Sequence, residues 1–186
     1  MNVRRLSCLF AVAVLAAAAP ALAAIAVGTQ APTFTLQATK GGKVFTFDLA
    51  AALKKGPVVL YFYPAAFTPG CTLEAHAFAE AIPQYTALGA TVIGVSRDNL
   101  DKLQKFSVSE CRSKFAVAAD TAGTVTKSFD VPLPQDPSVA DRTSFVIAPD
   151  GKIIYEFTDL VDPEKHVTNT LDALKQWEAA NPKPAQ

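Results

Sequence analysis

The segment Thr68-Pro69-Gly70-Cys71-Thr72 sets a cysteine where a helix can begin. If Thr68 is the N-cap and Pro69 takes the first helical position, where its missing N–H is no loss, Cys71 falls third in the first turn. A helix N-terminus carries about half a positive charge and unpaired N–H donors, which favour thiolate over thiol. The Thr68 hydroxyl, three residues back, can approach the same point and hydrogen-bond either the sulfur or an oxygen beside it. The chemistry this allows is nucleophilic attack by sulfur. The alternative is a small buried residue at a helix start, a common fate of cysteine.

Arg142 stands immediately before an apolar strand. It reads either as a solvated strand end paired with Asp141 or as a second positive group near Cys71, where a multi-donor guanidinium suits an anion. Arg97, in Ser96-Arg97-Asp98, reads as a surface-loop residue, and Glu74 as a structural acid in the first helical turns rather than a base. His76 follows Cys71 by five residues. Five helical steps turn about 140°, so it faces away and makes a poor Cys–His dyad. Cys71, Cys111, His76 and His166 lack the close spacing of a metal site, and no metal is expected.

The elements that must position these groups alternate as in an α/β layer. Phe34 to Leu36 and Lys43 to Phe47, split by Gly41-Gly42, predict an N-terminal hairpin. Pro57 to Tyr63 is a near-continuous apolar run, the pattern of a central strand buried on both faces. A helix is predicted from Cys71 to about Leu88, closed by Gly89 and kinked at Pro83. Strands follow at Thr91 to Val95 and Phe115 to Ala119, with helices at Asn99 to Arg112 and Gly123 to Phe129. Thr143 to Ala148 and Lys152 to Phe157 flank the turn Pro149-Asp150-Gly151. Pro163 to Ala180 is an amphipathic closing helix, with Trp177 assigned to the core.

The whole is 186 residues, 50% hydrophobic, with 17 Lys+Arg against 17 Asp+Glu. That composition supports a packed core and gives no basic footprint for nucleic acid. Residues 1–23 read as a cleaved secretory signal: Arg4-Arg5, the apolar run Leu6 to Ala19, then Ala21-Leu22-Ala23 as a small-x-small cleavage site. Pro20 and that site weigh against a membrane anchor. The mature domain, 24–186, keeps 15 Lys+Arg (17 minus Arg4 and Arg5) against 17 acids, a net charge of −2, and two cysteines, Cys71 and Cys111. Two cysteines are too few for a disulfide scaffold and read as chemical.

Tyr61-Phe62-Tyr63-Pro64, Phe67-Thr68-Pro69-Gly70-Cys71-Thr72 with Glu74, Val92 to Ser96, and Arg142 to Ile147 with Pro149-Asp150-Gly151 resemble the peroxiredoxins, and within them the bacterioferritin-comigratory or Q group. The resemblance runs from about Ala24 to Phe157. It implies a thioredoxin-like fold, a central mixed β-sheet flanked by helices with an N-terminal β-hairpin, and a thiol peroxidase needing no cofactor. By resemblance, Cys71 is the peroxidatic nucleophile, Thr68 orients the peroxide and Arg142 stabilises the thiolate. Pro64, Phe67 and Gly70 belong to the pocket, with backbone N–H groups of Gly70 and Cys71 aimed at the attacked oxygen.

The resemblance further implies a peroxide substrate, a thioredoxin-like or other thiol reductant, no nucleic acid, and no membrane once the leader is removed. The expected location is the bacterial periplasm and the expected state a monomer or weak dimer. Many Q-group proteins carry a resolving cysteine five residues after the first, where this chain has His76. Cys111, near the end of the helix beginning around Asn99, is then the internal candidate; equally, at about 20° from Leu100 around an ideal helix, it could be core. Two other classes stay open: a thioredoxin-fold disulfide exchanger, which would want a second cysteine at Leu73-Glu74, and a catalytically silent exported binding module.

Overall fold

A computed structural model describes residues 24–182; the predicted leader, 1–23, lies outside the described residues. Its centre is the strand β3 (Val58–Phe62), whose five residues are all buried. Consecutive side chains of a strand point to opposite faces, and here the two faces meet different helices. Val59, Tyr61 and the following Tyr63 pack with the helices α2 (Pro69–Ala87), α3 (Leu100–Ser109) and α5 (Pro163–Ala180). Val58, Leu60 and Phe62 pack with α1 (Leu49–Leu53) and α4 (Thr124–Ser128). An apolar run without alternation is what a strand covered on both faces requires.

The other strands of this sheet are β1 (Thr35–Lys40), β2 (Lys43–Asp48), β4 (Thr91–Ser96), β5 (Ala116–Ala119), β8 (Thr143–Ile147) and β9 (Ile153–Thr158), in the order β2-β1-β5-β4-β3-β8-β9. β4 runs parallel to β3 and to β5, whereas β8 lies antiparallel against β3. The predicted hairpin is β1–β2, turning at Gly41 and Gly42. Leu60 pairs with Phe145 and Phe62 with Thr143, a register that delivers Arg142 to the end of β3 from which α2 departs.

Several elements differ from the sequence reading. The helix α1 was not anticipated; the Asp48 side chain caps it by accepting from the Ala51 N–H at 2.6 Å. A small hairpin, β6 (Pro132–Leu133) with β7 (Asp136–Ala140), occupies a proline-rich stretch that carries no strand pattern. α3 stops at Ser109 rather than Arg112, because the chain turns out through left-handed backbone at Arg112 (φ 50°) and Ser113 (φ 56°). Cys111 therefore lies beyond the helix, its N–H donating to the Phe106 carbonyl at 3.0 Å. Trp177 is half-buried at the rim of a small cleft with Gly89 and Pro149, not in the core. Pro83 falls inside α2 and has no N–H to give the Ala79 carbonyl. Near the same helix's end, the fully buried Tyr85 hydroxyl bonds to Thr170 Oγ1 at 2.7 Å and donates to the Val167 carbonyl at 3.1 Å.

Candidate active site

The first turn of α2 forms as its residues dictate. Thr68 has extended backbone (φ −76°, ψ 150°), Pro69 opens the helix, and Cys71 is its third residue. The Thr68 side chain does not cap the helix; its hydroxyl donates to the Ala65 carbonyl at 3.0 Å, which leaves its lone pairs free to accept. The Gly70 and Cys71 amides, in the first turn, have no intrahelical acceptor. Cys71 is 2% exposed, so its sulfur is almost wholly shielded from solvent.

Arg142 reaches this sulfur from the adjacent strand. Its Nη2 donates to Cys71 Sγ at 3.5 Å, Nη1 pairs with Glu74 Oε2, and Nε donates to the Leu160 carbonyl at 3.3 Å. The side chain is buried and does not pair with Asp141, whose carboxylate instead accepts from the Arg142 backbone N–H at 2.8 Å. Burial works against the guanidinium charge, but Glu74 and Cys71 outweigh it and raise the Arg142 pKa, so it stays a cation. Gly70 leaves room for this approach: a Cβ there would lie 3.0 Å from Nη2 and the guanidinium would have to give by a few tenths of an ångström.

Glu74 sits one helical turn after Cys71, on the same face. It is fully buried, and among the described residues only Oε2 has a donor; Oε1 has none. Burial pushes its pKa up to about 8 against the pull of Arg142. His166 Nδ1 lies 4.0 Å from Oε1. Its Nε2 meets the Asp159 carbonyl at 2.9 Å, which can only accept, so Nε2 carries the proton and Nδ1 accepts from the Ser144 hydroxyl at 2.8 Å. Burial, helped by the Arg142 charge, pulls His166 down to about 4 and keeps it neutral.

Of the residues singled out from the sequence, the structure brings Cys71, Gly70 and Arg142 together, puts Thr68 at the N-cap of the same helix, and sets Pro64 and Phe67 in the turn leading to them. Pro64 is half-buried. Phe67 is 44% exposed, has left-handed backbone (φ 67°), and lays its ring edge-on against Phe106 at 5.2 Å. For a bulky residue that conformation is strained by roughly 1–2 kcal/mol. Cys111 is fully buried in the apolar cluster that also holds Cys71, Tyr61, Tyr63 and Phe106, and burial pushes its thiol pKa up. Both cysteines are free thiols. On either side of Cys111, His76 pairs with Glu110 at 2.8 Å and Arg112 with Glu80 at 3.0 Å, fastening this turn to α2. Arg97 is not a solvated surface residue: it is half-buried, its Nη1 donates to the Pro137 carbonyl at 2.9 Å, and its Nε has no acceptor among the described residues.

The sequence reading missed the parts played by Glu74, His166 and Ser144. A signal for Glu74 existed in its three-residue spacing from Cys71, which puts both on one helical face. Nothing local pointed to Ser144 or His166.

Residues 27–156 match the AhpC/TSA family. Among relatives, a peroxiredoxin Q, chloroplastic, of Oryza sativa subsp. japonica is 34% identical over 80% of this chain, which spans 66% of that protein's length. The corresponding Sedum lineare protein is 32% identical over 80% of this chain and 77% of its own length. The peroxidoxin BcpB of Mycobacterium tuberculosis superimposes with a TM-score of 0.73 at 31% identity, covering 81% of this chain and 96% of its own. Enterococcus faecalis AhpC, at 21% identity and a TM-score of 0.73, shares the fold over 86% of this chain and 98% of its own.

Proposed function

Since this chain belongs to the AhpC/TSA family, the peroxiredoxins, we propose that it is a thiol-dependent peroxidase in which Cys71 is the peroxidatic nucleophile and Arg142 its fixed cation. The observation that carries this assignment is the buried guanidinium 3.5 Å from Cys71 Sγ at the first turn of α2. The thiolate attacks the hydroxyl oxygen of a hydroperoxide in line with the O–O bond. The S–O bond forms, the O–O bond breaks with its electron pair passing to the distal oxygen, and that oxygen takes a proton and leaves as water or alcohol. Cys71 becomes a sulfenic acid. Arg142 and the Gly70 and Cys71 amides stabilise the charge as it moves from sulfur to oxygen, and Thr68 accepts from the peroxide O–H. Pro64 and Phe67 wall the pocket.

In the second half, the Cys111 thiol attacks the sulfenic sulfur, expelling water and forming a Cys71–Cys111 disulfide. A thioredoxin-like dithiol then supplies two electrons and two protons to restore both thiols. The shared apolar cluster of the two cysteines supports Cys111 as resolver. The bridge requires α2 to unwind at its start, since Cα atoms must come within about 7 Å. We take it to act as a monomer or weak dimer, as the resemblance to the Q group implies. The Arg4-Arg5 and Ala21-Leu22-Ala23 pattern of the leader supports removal of residues 1–23 and export, and the resemblance makes the periplasm the expected destination.

The test is the mass of the reduced protein before and after one equivalent of hydrogen peroxide. A gain of one oxygen, or a loss of two hydrogens on formation of the bridge, supports the reading. Cys71→Ser, a one-atom change, should abolish both and leave the fold intact. No mass change in the parent, or peroxide consumption that survives in Cys71→Ser, overturns it.

A further inference from the structure

The turn between β3 and α2 holds Phe67 in left-handed backbone immediately before Thr68, so something outside the turn must impose its shape. Two contacts do so. The Phe67 ring rests on Phe106 of α3. The Ala66 N–H donates to Asp98 Oδ2 at 2.7 Å. Asp98 stands between the end of β4 and the start of α3, and its carboxylate is itself fixed: Oδ2 also accepts from Ser96 Oγ at 2.9 Å, and Oδ1 accepts from Lys102 Nζ at 2.7 Å. Ser96 is fully buried and the Asp98 side chain is only 11% exposed. A charged acceptor held at two other points is a rigid anchor for a backbone N–H.

We propose that Asp98 is a positioning residue for peroxide reduction, holding the Ala66–Phe67 turn so that Thr68 and the first amides of α2 face the peroxide. The inference rests on Cys71 being the peroxidatic nucleophile. Arg142 approaches Cys71 from β8 and is braced by Glu74 and Leu160, none of which belongs to the turn. Loosening the turn therefore misplaces the groups that orient the peroxide while leaving the thiolate and its cation together. The Ala66 residue is 3% exposed, so its amide, once orphaned, is driven to move toward water.

The experiment compares two reactions of Cys71 in reduced Asp98→Ala: with hydrogen peroxide, which needs Thr68, and with iodoacetamide, which needs only the thiolate. The peroxide rate constant should fall about ten-fold or more, and alkylation should stay within about two-fold of the parent. Asp98→Asn, whose amide oxygen can accept from the Ala66 N–H, should recover most of the peroxide rate. Hydrogen exchange at the Ala66 amide should quicken in Asp98→Ala and not in Asp98→Asn. Should the alanine variant fail to fold, Ser96→Ala removes one bond aiming the carboxylate and should give a smaller fall in the same direction. An unchanged peroxide rate, equal losses in both reactions, or no recovery with Asn overturns the proposal. A parent inert to peroxide would instead defeat the peroxidase reading, and the exchange measurement would show separately whether Asp98 holds the turn.

Discussion

Arg142 and Glu74, 68 residues apart in the chain, meet with both side chains buried, Nη1 donating to Oε2, and the same guanidinium touches the Cys71 sulfur. One cation thus serves two acids. Its two outer nitrogens are divided between them, which a planar fork can do and an ammonium cannot.

Arg142→Lys should therefore fail even though it keeps the charge. A lysine can reach the sulfur or the carboxylate but cannot span both with fixed geometry. Loss of one preoriented donor of this kind lowers rates by roughly 10²-fold or more, and stopped-flow oxidation of reduced Cys71 by hydrogen peroxide reads it directly. A lysine variant as fast as the parent would reduce Arg142 to a generic positive charge.

Gly70→Ala tests the fit without touching any charged group. The new methyl would lie 3.0 Å from Arg142 Nη2, so the guanidinium must shift by a few tenths of an ångström. Peroxide reduction should slow about ten-fold, since small misplacements are felt strongly in a preorganised site. Thermal unfolding should move little, because the helix gains from replacing glycine. A rate equal to the parent's would mean that Arg142 has slack the packing does not suggest.

The pH dependence of stability has a definite sign. Glu74 moves from an ordinary value near 4.5 up to about 8, so the folded chain holds a proton that the unfolded chain releases, and stability falls as pH rises from 4.5 toward 8. His166 moves from near 6.5 down to about 4, so its contribution is full above 6.5 and is lost as pH falls from there toward 4. Between about pH 4.5 and 6.5 the two oppose each other. Of these two groups only Glu74 titrates between 6.5 and 8, with a slope of up to about 1.4 kcal/mol per pH unit. Denaturant unfolding of the reduced protein should show this decline, and Glu74→Gln should flatten it. A decline that persists in Glu74→Gln would place the titrating group elsewhere.

Cys111→Ala separates resolution from attack. The first oxidation of Cys71 should keep the parent's rate, since Cys111 takes no part in it. The disulfide should vanish, turnover with a thioredoxin-like reductant should stop, and excess peroxide should drive Cys71 on to sulfinic acid. Normal turnover in this variant would make Cys111 packing and the enzyme a one-cysteine peroxidase. His76→Ala, which frees Glu110 beside Cys111, should speed disulfide formation in the parent background by loosening the turn that must open.

What the sequence revealed was local. Thr68-Pro69 announces a helix start within two residues, and the Val58 to Phe62 run admits only a doubly covered strand. The Glu74–Arg142 pair is not local: a glutamate in the second turn of a helix looks like any solvated acid until the fold lays β8 beside β3. Cys111 was misplaced for a similar reason. The left-handed residues that end α3 are Arg112 and Ser113, neither of which is the glycine that ordinarily marks such an exit. Arg97 looked like a surface-loop residue because a charged residue just past a strand usually is one, whereas here it is half-buried with its Nη1 on the Pro137 carbonyl.

Pro83 divides α2 into a working end and a moored end. The stretch before it carries Cys71 and Glu74 and is fastened at its outer side by the exposed Glu80–Arg112 contact and by His76–Glu110. The stretch after it is tied to α5 through Tyr85, whose hydroxyl meets Thr170 and Val167 in the interior. A backbone ladder with a missing rung at Ala79 transmits fraying poorly from one part to the other. If Cys111 resolves Cys71 as proposed, the front of the helix is the part that comes undone while the back keeps its seat. Protease cuts in the disulfide form should accordingly fall before Pro83, with the segment around Tyr85 left whole.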